Sequence, residues 1–461
     1  MKTLLSGAIV YIDGGFVKKD VLIENGIVIS LSEPADIKTE VPSVSVVNYS
    51  GKYIFPGFVD VHVHFREPGF LYKEDIATGS KAAAKGGYTH VFTMPNLNPV
   101  PDSVEHMNEE LKAIHEKAVV KVYPYASITK GEKGEELVDF EEITGYFEML
   151  GDEDESKNIR LAGFSDDGTG VEDREYMREA MERVASVNGI ISAHCETKSL
   201  MGGKNIHDGI AAQALGIKGI SSESEWSMIK RDIEICRETG CRYHVCHVST
   251  KESIELIRQA KAEGVDITCE TGPHYLLLSD KDLLDAVNAS DSAKGINNCE
   301  EETKAKYGIG RFKMNPPLRS EDDRLSLIEA LKDGTLDMIA TDHAPHSAEE
   351  KGKGLDGPMG VVGLESAFPV LYTGLVKTGI ITLEKLVDLM STRPAERFEV
   401  EHGKNGITVG MPADLTVYDL DEQYVIDPDT FATKGRFTPF DGRKVFGRCI
   451  ETYVDGQPRL N

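Results

Sequence analysis

No unbroken apolar run in this 461-residue chain approaches the ~20 residues that a membrane-spanning helix needs. The opening stretch, Met1 to Gly7, lacks the longer apolar core and small-residue cleavage site of a secretory signal, so the chain is expected in the cytoplasm. Cysteine is sparse. The seven residues Cys195, Cys236, Cys241, Cys246, Cys269, Cys299 and Cys449 are an odd number and include no Cys-x-x-Cys pair. That argues for reduced thiols and excludes a disulfide framework or a structural zinc ribbon. Positive charge is also short, with 51 Lys plus Arg against 77 Asp plus Glu and a formal net charge of −26. Nucleic acid and anionic lipid are thereby excluded as main partners, and a small anionic substrate must meet a local cationic pocket. Internal repeats and low-complexity tracts are missing as well.

What remains is ordinary globular usage, 40% hydrophobic and 28% charged. The length suits about three domains of roughly 150 residues, or one large barrel with a satellite. The first fifty residues read as β segments, Leu4 to Ile12, Phe16 to Glu24, Ile27 to Leu31 and Ser43 to Tyr49, broken by Asp13-Gly14-Gly15 and Asn25-Gly26 turns. Ala413 to Tyr418 and Cys449 to Val454 repeat that texture at the far end. The two ends are expected to build one small β-sandwich domain, from 1–55 and 396–461.

Between them, 56–395 alternates short apolar runs with amphipathic stretches. The strand candidates are Gly57 to Val63, Thr89 to Met94, Val119 to Ala126, Arg160 to Phe164, Ile190 to Ala193, Tyr243 to Cys246, Asp266 to Cys269 and Asp337 to Ala340. Tyr176 to Ser186, Ser224 to Thr239 and Lys251 to Glu263 are helical candidates. This alternation predicts an α/β chain with a (β/α)8 TIM-type barrel rather than a doubly wound sheet. Gly151 to Lys157 reads as a solvated acidic loop, and Asn288 to Ile309 as an inserted surface excursion.

Polar residues gather where the strands end. Strand one finishes in Asp60-Val61-His62-Val63-His64, where a period of two sends both imidazoles to one side. Strand four ends in Ser165-Asp166-Asp167-Gly168, strand five in His194-Cys195-Glu196, strand six in His247-Val248-Ser249-Thr250, and strand eight in Thr341-Asp342-His343-Ala344-Pro345-His346. A barrel brings all these C-terminal ends to one mouth. Singly, a strand-end His is a satisfied surface or core group and an Asp is a helix cap. Together, four imidazoles and two carboxylates suffice for a two-zinc site. Arg66, Asn96 and His346 have the character of anion contacts at the same mouth. Arg66 is expected there on a continuing extended backbone, and a guanidinium grips a carboxylate through two parallel hydrogen bonds. Cys195 and Cys246 alternate away from His194 and His247 and are expected to pack. His274 lies near the mouth without an assigned role.

With these stretches in hand, the chain resembles the cyclic amidohydrolases, and within them the type I dihydroorotases. The resemblance rests on Pro56-Gly57-Phe58-Val59-Asp60-Val61-His62-Val63-His64-Phe65-Arg66, Phe92-Thr93-Met94-Pro95-Asn96, Phe164-Ser165-Asp166-Asp167-Gly168 and Ala193-His194-Cys195-Glu196. It continues through Val245-Cys246-His247-Val248-Ser249-Thr250, Lys313-Met314-Asn315-Pro316-Pro317-Leu318-Arg319 and Ala340-Thr341-Asp342-His343-Ala344-Pro345-His346. A weaker match is Thr438-Pro439-Phe440-Asp441-Gly442.

The resemblance implies His62 and His64 on the more buried zinc, His194 and His247 on the second, and Asp342 on the first zinc as proton shuttle. It implies Arg66, Asn96 and His346 on the substrate carboxylate and Asn315 facing the pyrimidine ring. Many members of the superfamily bridge the metals with a carboxylated lysine on strand four. Here no lysine follows Lys157, so an Asp is expected to bridge: Asp167, whose distance to His194 fits the family spacing, with Asp166 the alternative. The implied reaction is the reversible interconversion of N-carbamoyl-aspartate and dihydroorotate in pyrimidine biosynthesis. A homodimer is expected, and association with aspartate carbamoyltransferase is compatible with activity. The competing readings are allantoinase or hydantoinase, which lack the ring carboxylate, and a non-catalytic scaffold, which would have lost ligands. The stretch Ser347 to Gly357 is the candidate lid.

Overall fold

The computed structural model describes residues 2–34, 44–153, 159–203, 205–294, 308–401, 403 and 405–460. Eight parallel strands follow one another around a barrel in chain order: Phe58–Val63, Tyr88–Thr93, Lys121–Ala126, Gly163–Phe164, Ile190–Ala193, Arg242–Val245, Ile267–Thr271 and Met338–Ile339. The ring closes where strand eight meets strand one. There the His64 amide donates to the His343 carbonyl at 2.9 Å, beside a parallel bridge between Val63 and His343. Strand four is shorter than its apolar run. Pro124 on strand three has no N–H to give, so only its carbonyl, taken by Ala162 at 2.9 Å, joins the ladder there.

Val59, Val61, Phe92, Met94, Tyr123, Tyr125, Met338 and Phe398 fill the barrel interior, making it a packed core rather than a pore. The connecting helices begin on side-chain caps: Ser103 for Val104–Lys117, Asp173 for Arg174–Ser186, Thr250 for Lys251–Ala262. Each cap satisfies an amide that has no partner within its helix.

The satellite is one mixed eight-stranded sheet. Lys2–Ile12, Gly15–Glu24, Ile27–Ser32, Val44–Asn48 and Tyr53–Pro56 come from the N-terminal end, and Leu415–Val425, Lys444–Val454 and Gln457–Pro458 from the C-terminal end. Tyr53–Pro56, too short to stand out in the sequence, joins the two ends by pairing with both Leu415–Val425 and Lys2–Ile12. Aromatic rings fasten this sheet to the barrel. Phe58 and Phe368 lie 5.4 Å apart, and Phe368 and Tyr418 4.2 Å apart, pairs worth about 0.5–1.5 kcal/mol each beyond their burial.

Two loop readings change. Helix Phe140–Glu153 takes the start of the acidic stretch, and 154–158 lies outside the described residues. Helix Asp280–Lys294 runs through the first part of the expected excursion, because Leu283 and Val287 give the segment a buried face. Residues 295–307 lie outside the described residues. No helix among the described residues is long and apolar enough to cross a membrane.

Candidate metal centre

At the C-terminal mouth the strand ends bring the expected imidazoles and carboxylates into contact. Asp167 sits at the middle. Its Oδ1 is 3.5 Å from His62 Nε2, 3.6 Å from His194 Nδ1 and 3.6 Å from His247 Nε2, while its Oδ2 is 3.5 Å from His64 Nε2. Asp342 Oδ1 lies 3.2 Å from His64 Nε2 and 3.6 Å from His62 Nε2. His194 Nδ1 and His247 Nε2 face each other at 2.9 Å. All six side chains are buried. Asp166, the alternative bridge, points elsewhere: it accepts from the Ile128 and Thr129 amides at 2.7 and 3.0 Å and from the Thr129 hydroxyl.

The donor set fits divalent metal. His62 Nε2 and Asp167 Oδ1 are buried without a hydrogen-bond partner, although they face each other. His62 gives its other nitrogen to Glu270 Oε1 at 2.8 Å, and His64 gives Nδ1 to Asn96 Oδ1 at 2.9 Å. With Nδ1 committed on each ring, it is Nε2 that faces the cluster, the nitrogen on which a metal would replace a proton. Imidazole with carboxylate is the ligand chemistry of zinc and its neighbours. The field is strongly negative. Burial disfavours charge on His62, yet Asp167 and Glu270 push that imidazole up to about 10, and the His62 charge in turn holds Asp167 well below the usual carboxylate range despite burial. A site that prefers positive charge so strongly suits divalent metal.

The anion contacts lie alongside. Arg66 reaches the mouth by a different route from the one expected: its backbone is left-handed, with φ 61°, rather than extended. The guanidinium donates to Asn96 Oδ1 at 3.2 Å and to the Pro345 carbonyl at 3.4 Å, both neutral acceptors. Asn96 also donates Nδ2 to Asp167 Oδ2 at 3.5 Å, which fixes its amide. Asn315 Nδ2 is 3.5 Å from His194 Nε2, and its buried Oδ1 is a free acceptor. His346 Nε2 lies 2.7 Å from the Met359 carbonyl. Burial and nearby Arg66 keep this ring neutral, so Nδ1 carries a lone pair with no partner.

Several contributors escaped the sequence reading. Glu270, on strand seven, holds His62, His244 at 3.3 Å and the His247 amide at 3.4 Å. A charged residue inside a buried strand was its available signal. Asp60 accepts from the Thr341 hydroxyl at 2.6 Å and the His62 amide at 3.2 Å, tying strand one to the residue before Asp342. Cys195 packs by Tyr243 at 3.4 Å, and Cys246 packs in the barrel core with its sulfur near His62 and Glu270. His274 is buried with Nε2 unpartnered, and burial pushes its imidazole down to about 4. The candidate lid is folded: Ser347 and Glu350 cap helix Ala348–Lys351, and Lys351 Nζ donates to the Lys313 carbonyl at 2.9 Å.

A family model described as Dihydro-orotase-like matches residues 51–253. The chain is 44% identical over 458 residues to a dihydroorotase from Listeria innocua, covering 99% of this chain and 98% of the relative. It is 46% identical over 447 residues to a dihydroorotase from Geobacillus thermodenitrificans, covering 96% and 95%. Among solved structures it is similar to an L-hydantoinase (dihydropyrimidinase) from Arthrobacter aurescens, at 26% identity, TM-score 0.81 and coverage of 99% and 95%. Its fold is also that of a dihydropyrimidinase from Brevibacillus agri, at 23% identity, TM-score 0.78 and the same coverage. With full-length relatives at this identity and a buried His/Asp centre at the barrel mouth, the chain belongs to the dihydroorotase family of cyclic amidohydrolases.

Proposed function

We propose that the chain is a zinc-dependent dihydroorotase that interconverts N-carbamoyl-L-aspartate and L-dihydroorotate. The observation carrying this reading is the His/Asp cluster around unpartnered His62 Nε2 and Asp167 Oδ1, set beside a buried arginine that is bound only to neutral acceptors. His62, His64 and Asp342 would hold one zinc, His194 and His247 the second, and Asp167 would lie between them. Bound there, the two ions supply a water acidic enough to ionise near neutral pH and a Lewis acid for the ring carbonyl.

The protein's own groups do the rest. Arg66 forks onto the substrate carboxylate and Asn96 Nδ2 adds a donor. His346, held through Nε2 by the Met359 carbonyl, would close the side of the same carboxylate pocket. Asn315 Oδ1 accepts a ring N–H. Asp342 accepts the proton of the attacking water and delivers it to the leaving ring nitrogen, and in the closing direction the same carboxylate runs the sequence backwards. Pyrimidine biosynthesis in the cytoplasm, a homodimer and association with aspartate carbamoyltransferase complete the proposal; light scattering, alone and with the carbamoyltransferase, tests the assembly.

The deciding experiment couples metal content with turnover of dihydroorotate, allantoin and hydantoin at pH 8. About two zinc per chain and a strong preference for dihydroorotate is the expected result. Preference for allantoin or hydantoin would move the substrate while keeping the metal chemistry. Folded protein with neither metal nor turnover would restore the scaffold reading.

A further inference from the structure

Behind the strand-six ligand lies a second buried polar assembly that touches none of the reacting groups. Glu225, in the first turn of helix Glu223–Thr239, is 3% exposed. Its carboxylate gathers five donors: the Ser249 amide at 3.1 Å, the Ser249 hydroxyl, the Thr250 amide at 3.0 Å, the Thr250 hydroxyl at 3.0 Å and the Ser253 hydroxyl at 2.8 Å. Arg319 stands 3.7 Å from the same carboxylate, donates Nε to Ser249 Oγ at 3.0 Å, and reaches the Ile220 carbonyl at 3.1 Å and His207 Nδ1 at 3.3 Å.

Ser249 and Thr250 directly follow His247-Val248, and His247 holds a left-handed backbone with φ 36°. A non-glycine residue stays in that region only where its surroundings over-determine it. Strand seven fixes one side, with Val248 N donating to the Glu270 carbonyl at 2.8 Å; Glu225 fixes the other. Arg319 belongs to the segment that presents Asn315 to His194. One brace therefore spans the strand-six ligand and the ring-side amide.

We infer that Glu225, braced by Arg319, is a positioning residue that fixes His247 for metal binding and sets its place relative to Asn315. The inference rests on reading His247 as a metal ligand. The Ser249 and Thr250 amides and the Arg319 guanidinium can only donate, so the position favours a group that only accepts. Glutamine, keeping its oxygen for the amides, would turn an NH2 towards the Arg319 guanidinium, whereas aspartate keeps the acceptor character with a shorter reach.

The test strips wild type, E225Q and E225D with a chelator and titrates each with cobalt(II), following its visible absorption, with far-UV circular dichroism as the fold check. Wild type should take two ions. E225Q should bind one as wild type does and the other about 10–100-fold more weakly, as lost support for a ligand predicts. E225D should fall between them. If E225Q does not fold, the E225Q/R319M pair, which removes both charges together, must show the same selective weakening. Wild-type affinity at both positions in the folded variant would overturn the brace alone, and equal weakening of both would mark general loosening and overturn it too. No uptake by wild type would overturn the metal reading and the brace with it.

Discussion

The two halves of the metal centre are held in different ways. In the strand-one half, His62 and His64 each give their outer nitrogen to a buried side chain, Glu270 and Asn96, so both rings are oriented before anything binds. In the other half, His194 and His247 turn nitrogens on each other, and the outer nitrogen of His194 meets Asn315 and Glu196 at 3.5 and 3.7 Å. The first half is a prepared socket. The second is held through its backbone, by Glu270 and Glu225 around His247, and its His194 makes only long outer contacts. The first half is thus oriented through its ring nitrogens and the second through its backbone.

The largest effect should come from the chemical step. Asp342→Asn should lower kcat by about 10²–10⁴ or more, with zinc largely retained because His62, His64 and Asp167 remain; an active Asn variant would remove Asp342 from its assigned role. Arg66→Met should raise KM for dihydroorotate while sparing kcat, by roughly 30-fold to 5 × 10³-fold, the loss of about 2–5 kcal/mol that goes with a buried charge pair; steady-state kinetics read it directly. Glu270→Gln should weaken metal at the prepared half by about 10–100-fold, measured by competition with a chromogenic chelator. Graded chelation of wild type should empty the His194/His247 position first, giving two phases in metal release; a single phase would erase the contrast between the halves.

The smallest effect is a control outside the His/Asp cluster. Glu110 is buried against the Thr93 hydroxyl at 2.7 Å, and burial raises its carboxyl from 4.5 to about 8. Across that window the unfolded chain has lost a proton that the folded chain keeps, so the group's contribution to stability falls as pH rises. Glu110→Gln should therefore raise Tm more at pH 8 than at pH 5, leaving both metal positions unchanged.

The barrel and the His/Asp cluster at its mouth were legible because both obey short-range rules. Eight apolar runs announce strands, and alternation puts His62 beside His64. The brace residues were hidden because their roles are set by distant partners: Asp60 meets Thr341 and Glu225 meets Ser249 only once the barrel has curled. Arg66 arrived by a left-handed turn that no period-two reasoning contains. Tyr53–Pro56 becomes a strand because segments on both sides pair with it. Asp167 and Asp166 are adjacent and chemically identical, and it is the fold that separates them, giving Asp166 to the Ile128 and Thr129 amides and Asp167 to the imidazoles.

The point where the barrel closes has a consequence for how the protein is made. The His64 amide meets the His343 carbonyl there, and His64 and Asp342 are 278 residues apart in the chain. A nascent chain leaving the ribosome can form the first strands and their helices, yet it carries half a socket until strand eight emerges. With the roles proposed for His64 and Asp342, products truncated before strand eight are expected to be inactive.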